Sequence, residues 1–136
     1  MSIFNSVNII RPDDWHVHLR EGNMLEAVTL HSSRVNHRSI VMPNLEIPIT
    51  TLQQGRDYKK MILSISEDNN FLPLVPCYLT ETLNLLDFET ALKQNIFVGA
   101  KLYPTNATTN SSFGITKIEN IFPMLEILEK LNKPLL

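Results

Sequence analysis

The hydrophobic residues of this chain occur in short continuous runs that alternate with segments of helical periodicity. Four runs are bounded by Pro, Asn, Gly or Thr, as buried strands are, and cover residues 15–19, 39–42, 72–79 and 96–102. Apolar stripes at helical spacing follow these runs. The stripes contain Leu25 and Val28; Tyr58, Met61, Ile62 and Ile65; Leu85, Phe88 and Leu92; and Ile118, Ile121, Phe122, Leu125 and Leu128. The pattern predicts three to four strand–helix units.

Alternation of apolar strands and amphipathic helices predicts a parallel α/β sheet with helices outside it, either an open doubly wound sheet or a barrel. The first strand–helix turn lacks the glycine fingerprint of dinucleotide binding, and polar groups follow the strands, which favours a (β/α)₈ barrel. Such barrels need about 250 residues. The terminal KPLL has the character of a new strand. We therefore expect residues 1–136 to be the N-terminal part of one TIM-like barrel domain, without an internal domain boundary.

Composition excludes several classes of protein. The chain is 43% hydrophobic and 19% charged, carries a net charge of −2 and is only 7% aromatic, so a nucleic-acid partner is not expected. The single Cys77 allows no internal disulfide and reads as a buried small residue. The first 14 residues contain no basic and apolar leader, and no stretch approaches 18 apolar residues. We therefore expect a cytoplasmic protein without membrane contact.

Two histidines share one face of the first predicted strand. Side chains alternate along a strand, so His16 and His18 lie on the same side, about 7 Å apart along the backbone. Two imidazoles so placed either share a metal ion or serve a structural or solvated role. Arg20 continues the same face and offers a bidentate fork for a carboxylate. Its alternative is a surface ion pair with a neighbouring acidic residue.

A lysine lies inside the fourth apolar run. Lys101, in FVGAKLYP, would cost several kcal/mol to bury as a bare ammonium. It is therefore either neutralised or paired, or it lies at the strand end and extends to water. Asn44, after SIVMP, is either a turn residue or a hydrogen-bonding group at the strand ends. The uncharged segment 103–114 is either a mobile loop or one that closes over a substrate.

Together, DDWHVHLREG, IVMPNL, AKLYPTNATTNSS and KPLL resemble the class II dihydroorotases, the homodimeric bacterial type of the amidohydrolase superfamily. The order of HxHxR, MPN and AKLYP is more specific than any one motif. The resemblance implies reversible interconversion of L-dihydroorotate and N-carbamoyl-L-aspartate in pyrimidine synthesis. It also implies two Zn²⁺ ions in a TIM-like barrel, and a homodimer when the protein is full-length.

The resemblance assigns roles to residues that match the family motifs. His16 and His18 match the first two metal ligands, and Lys101 matches the lysine that is carboxylated to bridge the two Zn²⁺ ions. Arg20 and Asn44 match the groups that bind the substrate carboxylate, while Thr108 and Thr109 match loop threonines that reach the substrate.

The chain departs from the family pattern in two respects. Phe113 stands where the family loop has histidine. The remaining metal ligands and the aspartate that acts as general base are expected beyond residue 136, so no catalytic base is assigned and this stretch alone is expected to be inactive. Two alternatives remain: another cyclic-amide hydrolase, such as a hydantoinase or allantoinase, and a non-catalytic remnant or assembly module.

Overall fold

The computed structural model describes residues 6–136, which form strands and helices in alternation. The strands are β1 Asp13–Val17, β2 Arg38–Val41, β3 Leu72–Leu74, β4 Cys77–Tyr78 and β5 Ala100–Lys101. The helices are α1 Gly22–Val35, α2 Leu52–Ile65, α3 Leu85–Lys93 and α4 Phe122–Lys130, and a 3₁₀ turn, Ile118–Ile121, leads into α4. The predicted mixed α/β class is confirmed.

The strands pair in parallel throughout the described residues. β2 lies between β1 and β3, and β4 pairs with β5. β3 and β4 belong to the single apolar run predicted at 72–79, interrupted around Pro76, so that run joins the two sheets. The terminal KPLL segment lies alongside β5, where Leu135 forms a parallel bridge with Ala100. Within each sheet, parallel pairing brings the carboxyl ends of the strands to the same edge.

The apolar stripes of the helices form one hydrophobic core together with residues from the strands. The largest fully buried side chains include Tyr78, Phe71, Phe88, Phe97, Leu19, Leu25, Ile62 and Leu92. Helix α2 packs tightly at Gly55, where an added Cβ would lie 2.6 Å from Phe97 Cε1. A side chain at that position would therefore force the helix away from the core.

Two predicted strands have different bounds in the structure from those that the apolar runs indicated. The run 96–102 contributes only Ala100 and Lys101 to β5, because the backbone N–H groups of Ile96 and Phe97 bond to the carbonyl of Ala91 and close the end of α3. β1 ends at Val17, two residues before the end of its run. None of the helices within residues 6–136 is long and apolar enough to cross a membrane.

The loop that follows β5 is tied at its far end to the segment after β4. Glu81 Oε1 accepts hydrogen bonds from the backbone N–H of Thr116 at 2.7 Å, the Thr116 hydroxyl at 2.7 Å and the Lys117 N–H at 3.1 Å. These hydrogen bonds, first that of the Thr116 side chain, lower the pKa of Glu81 to about 2. The carboxylate thus fixes the start of the 3₁₀ turn.

We expect this tether to weaken in acid. The folded-state pKa of Glu81 lies below the value of about 4.3 for an unfolded chain, so its contribution is complete above that value and is lost as the pH falls toward 2. Glu81→Gln should lower the thermal midpoint at neutral pH, and the difference from the unmodified protein should shrink from about pH 4.5 downward. Glu119→Gln, on the adjacent turn, is the control. A difference that stayed constant down to pH 3 would contradict the assignment.

Candidate metal centre

The imidazoles of His16 and His18 converge at the end of β1. Their Nε2 atoms lie 3.2 Å apart and their ring centroids 5.1 Å apart. A tetrahedral zinc ion with Zn–N bonds of about 2.0–2.1 Å holds two nitrogens roughly 3.3 Å from each other. The observed separation fits two ligands of one ion, and it also fits a hydrogen bond between two neutral rings.

Local backbone structure explains why His16 projects from the strand. The pairing of β1 with β2 shifts register between Asp14 and Val17. The N–H of His16 donates instead to Asp14 Oδ1 at 2.9 Å. His16 is exposed, while Leu19 on the other side of the chain is fully buried in the core. His18 follows the end of β1 and is partly buried, so the two histidines are not two positions of one regular strand face as predicted.

His18 has the electrostatic character that a metal ligand requires. Its pKa is lowered, mainly by burial and then by the positive charge of Arg20, with smaller contributions from His16 and Lys101, while Asn44 opposes the shift. A lowered pKa keeps the ring neutral near pH 7, which leaves a lone pair free for a metal. Two buried atoms, His18 Nδ1 and Asn44 Oδ1, have no hydrogen-bond partner among residues 6–136.

Lys101 is the last residue of β5, and its positive charge makes a small contribution to the lowered pKa of His18. Its side chain is half-buried, and Nζ lies 5.3 Å from the ring centroid of Tyr103. No carboxylate of the described residues forms an ion pair with it. The lysine therefore lies at a strand end, as the simpler alternative required, yet its ammonium is not paired with an acid.

Arg20 and Asn44 are in direct contact. Arg20 Nη1 donates to the Asn44 carbonyl at 3.1 Å. Arg20 does not extend the strand face as predicted: its φ of 62° turns the backbone into the left-handed region, and the Tyr58 hydroxyl of α2 donates to its carbonyl at 2.9 Å. Asn44 is 1% exposed. Burial makes it a fixed hydrogen-bonding group at the strand ends rather than a simple turn residue.

The segment 103–114 lies against Asn44 rather than projecting freely. The Asn44 side-chain amide donates to the Thr109 carbonyl at 2.9 Å. Within the loop, Ser111 is 1% exposed, and its hydroxyl bonds to both the N–H and the carbonyl of Thr108. The side chains of Thr108 and Thr109 are exposed, as is Phe113.

Two tyrosines that sequence reasoning missed line this edge. The rings of Tyr78 and Tyr103 stack with centroids 5.0 Å apart. The Tyr103 hydroxyl is buried without a hydrogen-bond partner in the described part of the chain, and burial, followed by the neighbouring Tyr78, raises its pKa. The sequence holds one signal for Tyr103. It lies two residues after Lys101, and residues two apart in a strand share a face, so Tyr103 could have been placed beside the lysine.

The protein side of a metal centre is incomplete in residues 6–136. No group of three or more His, Cys, Asp or Glu side chains in that range is arranged to hold a metal ion. A catalytic zinc site needs about three protein ligands with an open position. The histidine pair therefore fits a metal as two of its ligands, and further ligands are required.

Comparisons with known proteins give one consistent answer. No family model matches the chain. The chain is 50% identical over 131 residues to a dihydroorotase of Cronobacter sakazakii, covering 96% of this chain and 38% of that protein. It is 49% identical over 132 residues to a dihydroorotase of Photorhabdus laumondii, with the same coverage of 96% and 38%.

Solved structures agree with these relatives. The crystal structure of the Saccharomyces cerevisiae dihydroorotase in complex with 5-fluoroorotic acid superposes with a TM-score of 0.84 at 32% identity, covering 91% of this chain and 34% of that one. The dihydroorotase of Campylobacter jejuni superposes with a TM-score of 0.83 at 36% identity, covering 92% and 37%.

The fold therefore belongs to the class of α/β proteins with parallel strands that also contains these dihydroorotase structures. Within that class, the chain is similar to dihydroorotases over nearly its whole length, which confirms the resemblance seen in its motifs. It spans about two-fifths of the length of the curated relatives that it matches.

The histidine pair generates a direct prediction. In the complete gene product, His16→Ala or His18→Ala should each reduce bound zinc, measured by metal analysis after purification, because each removes one of the converging nitrogens. His31→Ala, an exposed histidine on α1, is the matched control and should retain zinc. Zinc content equal to that of the unmodified protein in all three variants would refute the assignment.

Proposed function

We propose that this chain supplies part of the active site of a dihydroorotase, which interconverts L-dihydroorotate and N-carbamoyl-L-aspartate in pyrimidine biosynthesis. The convergence of His16 and His18, with Nε2 atoms 3.2 Å apart beside the Arg20–Asn44 contact, carries the proposal. A metal-ligand pair next to a cation suits a substrate that has both an amide to cleave and a carboxylate to hold. The relatives named dihydroorotase support this reading.

His16, His18 and Lys101 are the proposed metal ligands. When bound, two zinc ions would supply a Lewis acid for the ring amide and lower the pKa of the attacking water. The neutral amine of Lys101 adds to the carbon of CO₂ and releases a proton, which replaces a cation by an anionic carbamate. The half-buried position of Lys101, without an ion pair in residues 6–136, supports this conversion, because the metal ions would compensate the charge of the carbamate.

Arg20 and Asn44 are proposed to hold the substrate carboxylate. The guanidinium has five N–H donors, of which one is used on the Asn44 carbonyl, so the others remain for a bidentate contact. Burial fixes Asn44 and orients its amide. Thr108 and Thr109 present exposed hydroxyls from the loop that lies over this edge, in reach of a bound substrate.

The parallel strands and outer helices are proposed to be three to four strand–helix units of a TIM-like (β/α)₈ barrel. The pairing of Leu135 with Ala100 supports a further strand at that position. We propose one domain across residues 1–136, of which residues 1–5 lie outside the described range. A cytoplasmic homodimer is proposed on the same resemblance. The comparisons do not favour a hydantoinase-like enzyme or a non-catalytic module.

Lys101 provides a test of the carbamate. In the complete gene product, Lys101→Ala should abolish ring opening, and short carboxylic acids should partly restore it, since their oxygens can replace the carbamate. Lys101→Arg keeps the positive charge but cannot be carboxylated, so it should be equally inactive. Lys93→Ala, on the exposed side of α3, is the control. Normal turnover of either Lys101 variant would show that the residue only extends to water.

Arg20 has a kinetic signature. Arg20→Met should weaken both substrates by about 1.5–3 kcal/mol, the value of a charged hydrogen bond, while zinc content stays unchanged. The measurement is the Michaelis constant in each direction, with Arg34→Met as the control, since in residues 6–136 Arg34 forms its ion pair with the exposed Glu67. Unchanged Michaelis constants in both directions would exclude Arg20 from the substrate site.

A further inference from the structure

The loop of residues 103–116 is tied to Glu81 through Thr116 at its far end. Nearer its middle it hydrogen-bonds to the strand ends at two places, Asn44 and Tyr78. Asn44 donates through its side chain to the Thr109 carbonyl at 2.9 Å. In return, the Asn110 side-chain amide donates to the Asn44 backbone carbonyl at 3.1 Å. The Tyr78 hydroxyl donates to the Asn110 carbonyl at 3.3 Å. Asn110 is thus the loop residue that bonds to both places.

The carbonyl that receives Asn110 also receives Arg20. Arg20 Nη1 lies 3.1 Å from the Asn44 oxygen, the same distance as Asn110 Nδ2. A carbonyl oxygen has two lone pairs, so both donors can be bound together. The Asn44 carbonyl is therefore a shared acceptor that links the position of the loop to the orientation of the Arg20 guanidinium.

The backbone of the loop presents Asn110 for this contact. Asn110 has a φ of 53°, in the left-handed region that asparagine tolerates better than most residues. The next residue, Ser111, is buried. Its hydroxyl accepts from the backbone N–H of Thr108 and donates to the Thr108 carbonyl, so hydrogen bonds within the loop close the turn. The turn has its own support, and the Asn110 amide is free to serve as the contact with Asn44.

We propose that Asn110 is a positioning residue that docks the loop on Asn44 and, through the shared carbonyl, holds Arg20 in the orientation that receives the substrate carboxylate. This inference rests on the proposed function, because it assigns Asn110 an effect on substrate binding through Arg20. Within residues 6–136, the Asn110 side chain hydrogen-bonds to the Asn44 carbonyl and not to His16, His18 or Lys101.

The test uses glycine, which keeps the left-handed backbone and removes only the side chain. Asn110→Gly is compared with Asn106→Gly in the complete gene product. Asn106 has a φ of 57° in the same loop, and its side chain makes no hydrogen bond with residues 6–136 that the structure records. The two variants thus share the same change in backbone freedom and differ in the loss of the contact with Asn44.

Two measurements follow the loop and the substrate separately. Chymotrypsin cleavage at Phe113, which is 59% exposed, reports whether the loop is docked. Asn110→Gly should be cleaved several times faster than Asn106→Gly. It should also raise the Michaelis constants for both substrates by about fivefold, the equivalent of a hydrogen bond of about 1 kcal/mol, with zinc content and kcat nearly unchanged.

A double variant tests the link to Arg20. If both residues act through one carbonyl, Asn110→Gly should add little to the effect of Arg20→Met on the Michaelis constant, whereas independent roles would multiply. Equal Michaelis constants for Asn110→Gly and Asn106→Gly, or multiplicative effects in the double variant, would overturn the proposal even if cleavage differs. If the unmodified protein has no ring-opening activity, the proposed function is refuted. The cleavage rates would then still report whether Asn110 docks the loop.

Discussion

Parallel strand pairing is the constraint on which the arrangement of this site depends. β1 and β2 pair in parallel in one sheet, and β4 and β5 pair in parallel in the other, so the residues that follow each pair lie at one edge of their sheet. Hydrogen bonds from the loop after β5 to Asn44 and Tyr78 join the two edges. His18, Asn44, Glu81 and Tyr103 come from four separate parts of the sequence, and each lies just after a strand. Reversal of one strand would remove its polar residues from this edge, whatever their identity.

Asn44 connects the parts of this edge. Its carbonyl and its side-chain amide bind residues from both sides, Arg20 before it and the loop after β5. A buried amide that loses its partners costs about 1–3 kcal/mol per group. The same residue lies beside His18, so its environment bears on the electrostatics of the histidine pair as well as on the loop.

Periodicity predicted the features that depend on neighbours in sequence. Two-residue spacing was enough to place His16 and His18 together, and the cost of a buried ammonium was enough to single out Lys101. It was not enough for Arg20, whose left-handed backbone is stabilised by the hydroxyl of Tyr58 on a distant helix. The bond between Asn110 and Asn44 spans 66 residues, and no local pattern encodes a contact of that separation.

The stacked pair of Tyr78 and Tyr103 was missed for a related reason. Aromatic residues in apolar runs are normally core residues, and nothing in the sequence separates a tyrosine with an unpartnered hydroxyl from one that is fully satisfied. The strand boundaries were less well predicted than the strands themselves, because turns at helix ends, such as that around Ile96, consume part of an apolar run.

The residues of the loop from 103 to 116 include no charged side chain. Its contacts with Asn44 and Tyr78 are hydrogen bonds between neutral groups, which mobile ions screen little. An interaction between Arg20 and a carboxylate is of the opposite kind, since it joins two full charges near solvent. Concentrated salt would therefore weaken a contact between Arg20 and an anion more than it weakens the hydrogen bonds that hold the loop against Asn44 and Tyr78.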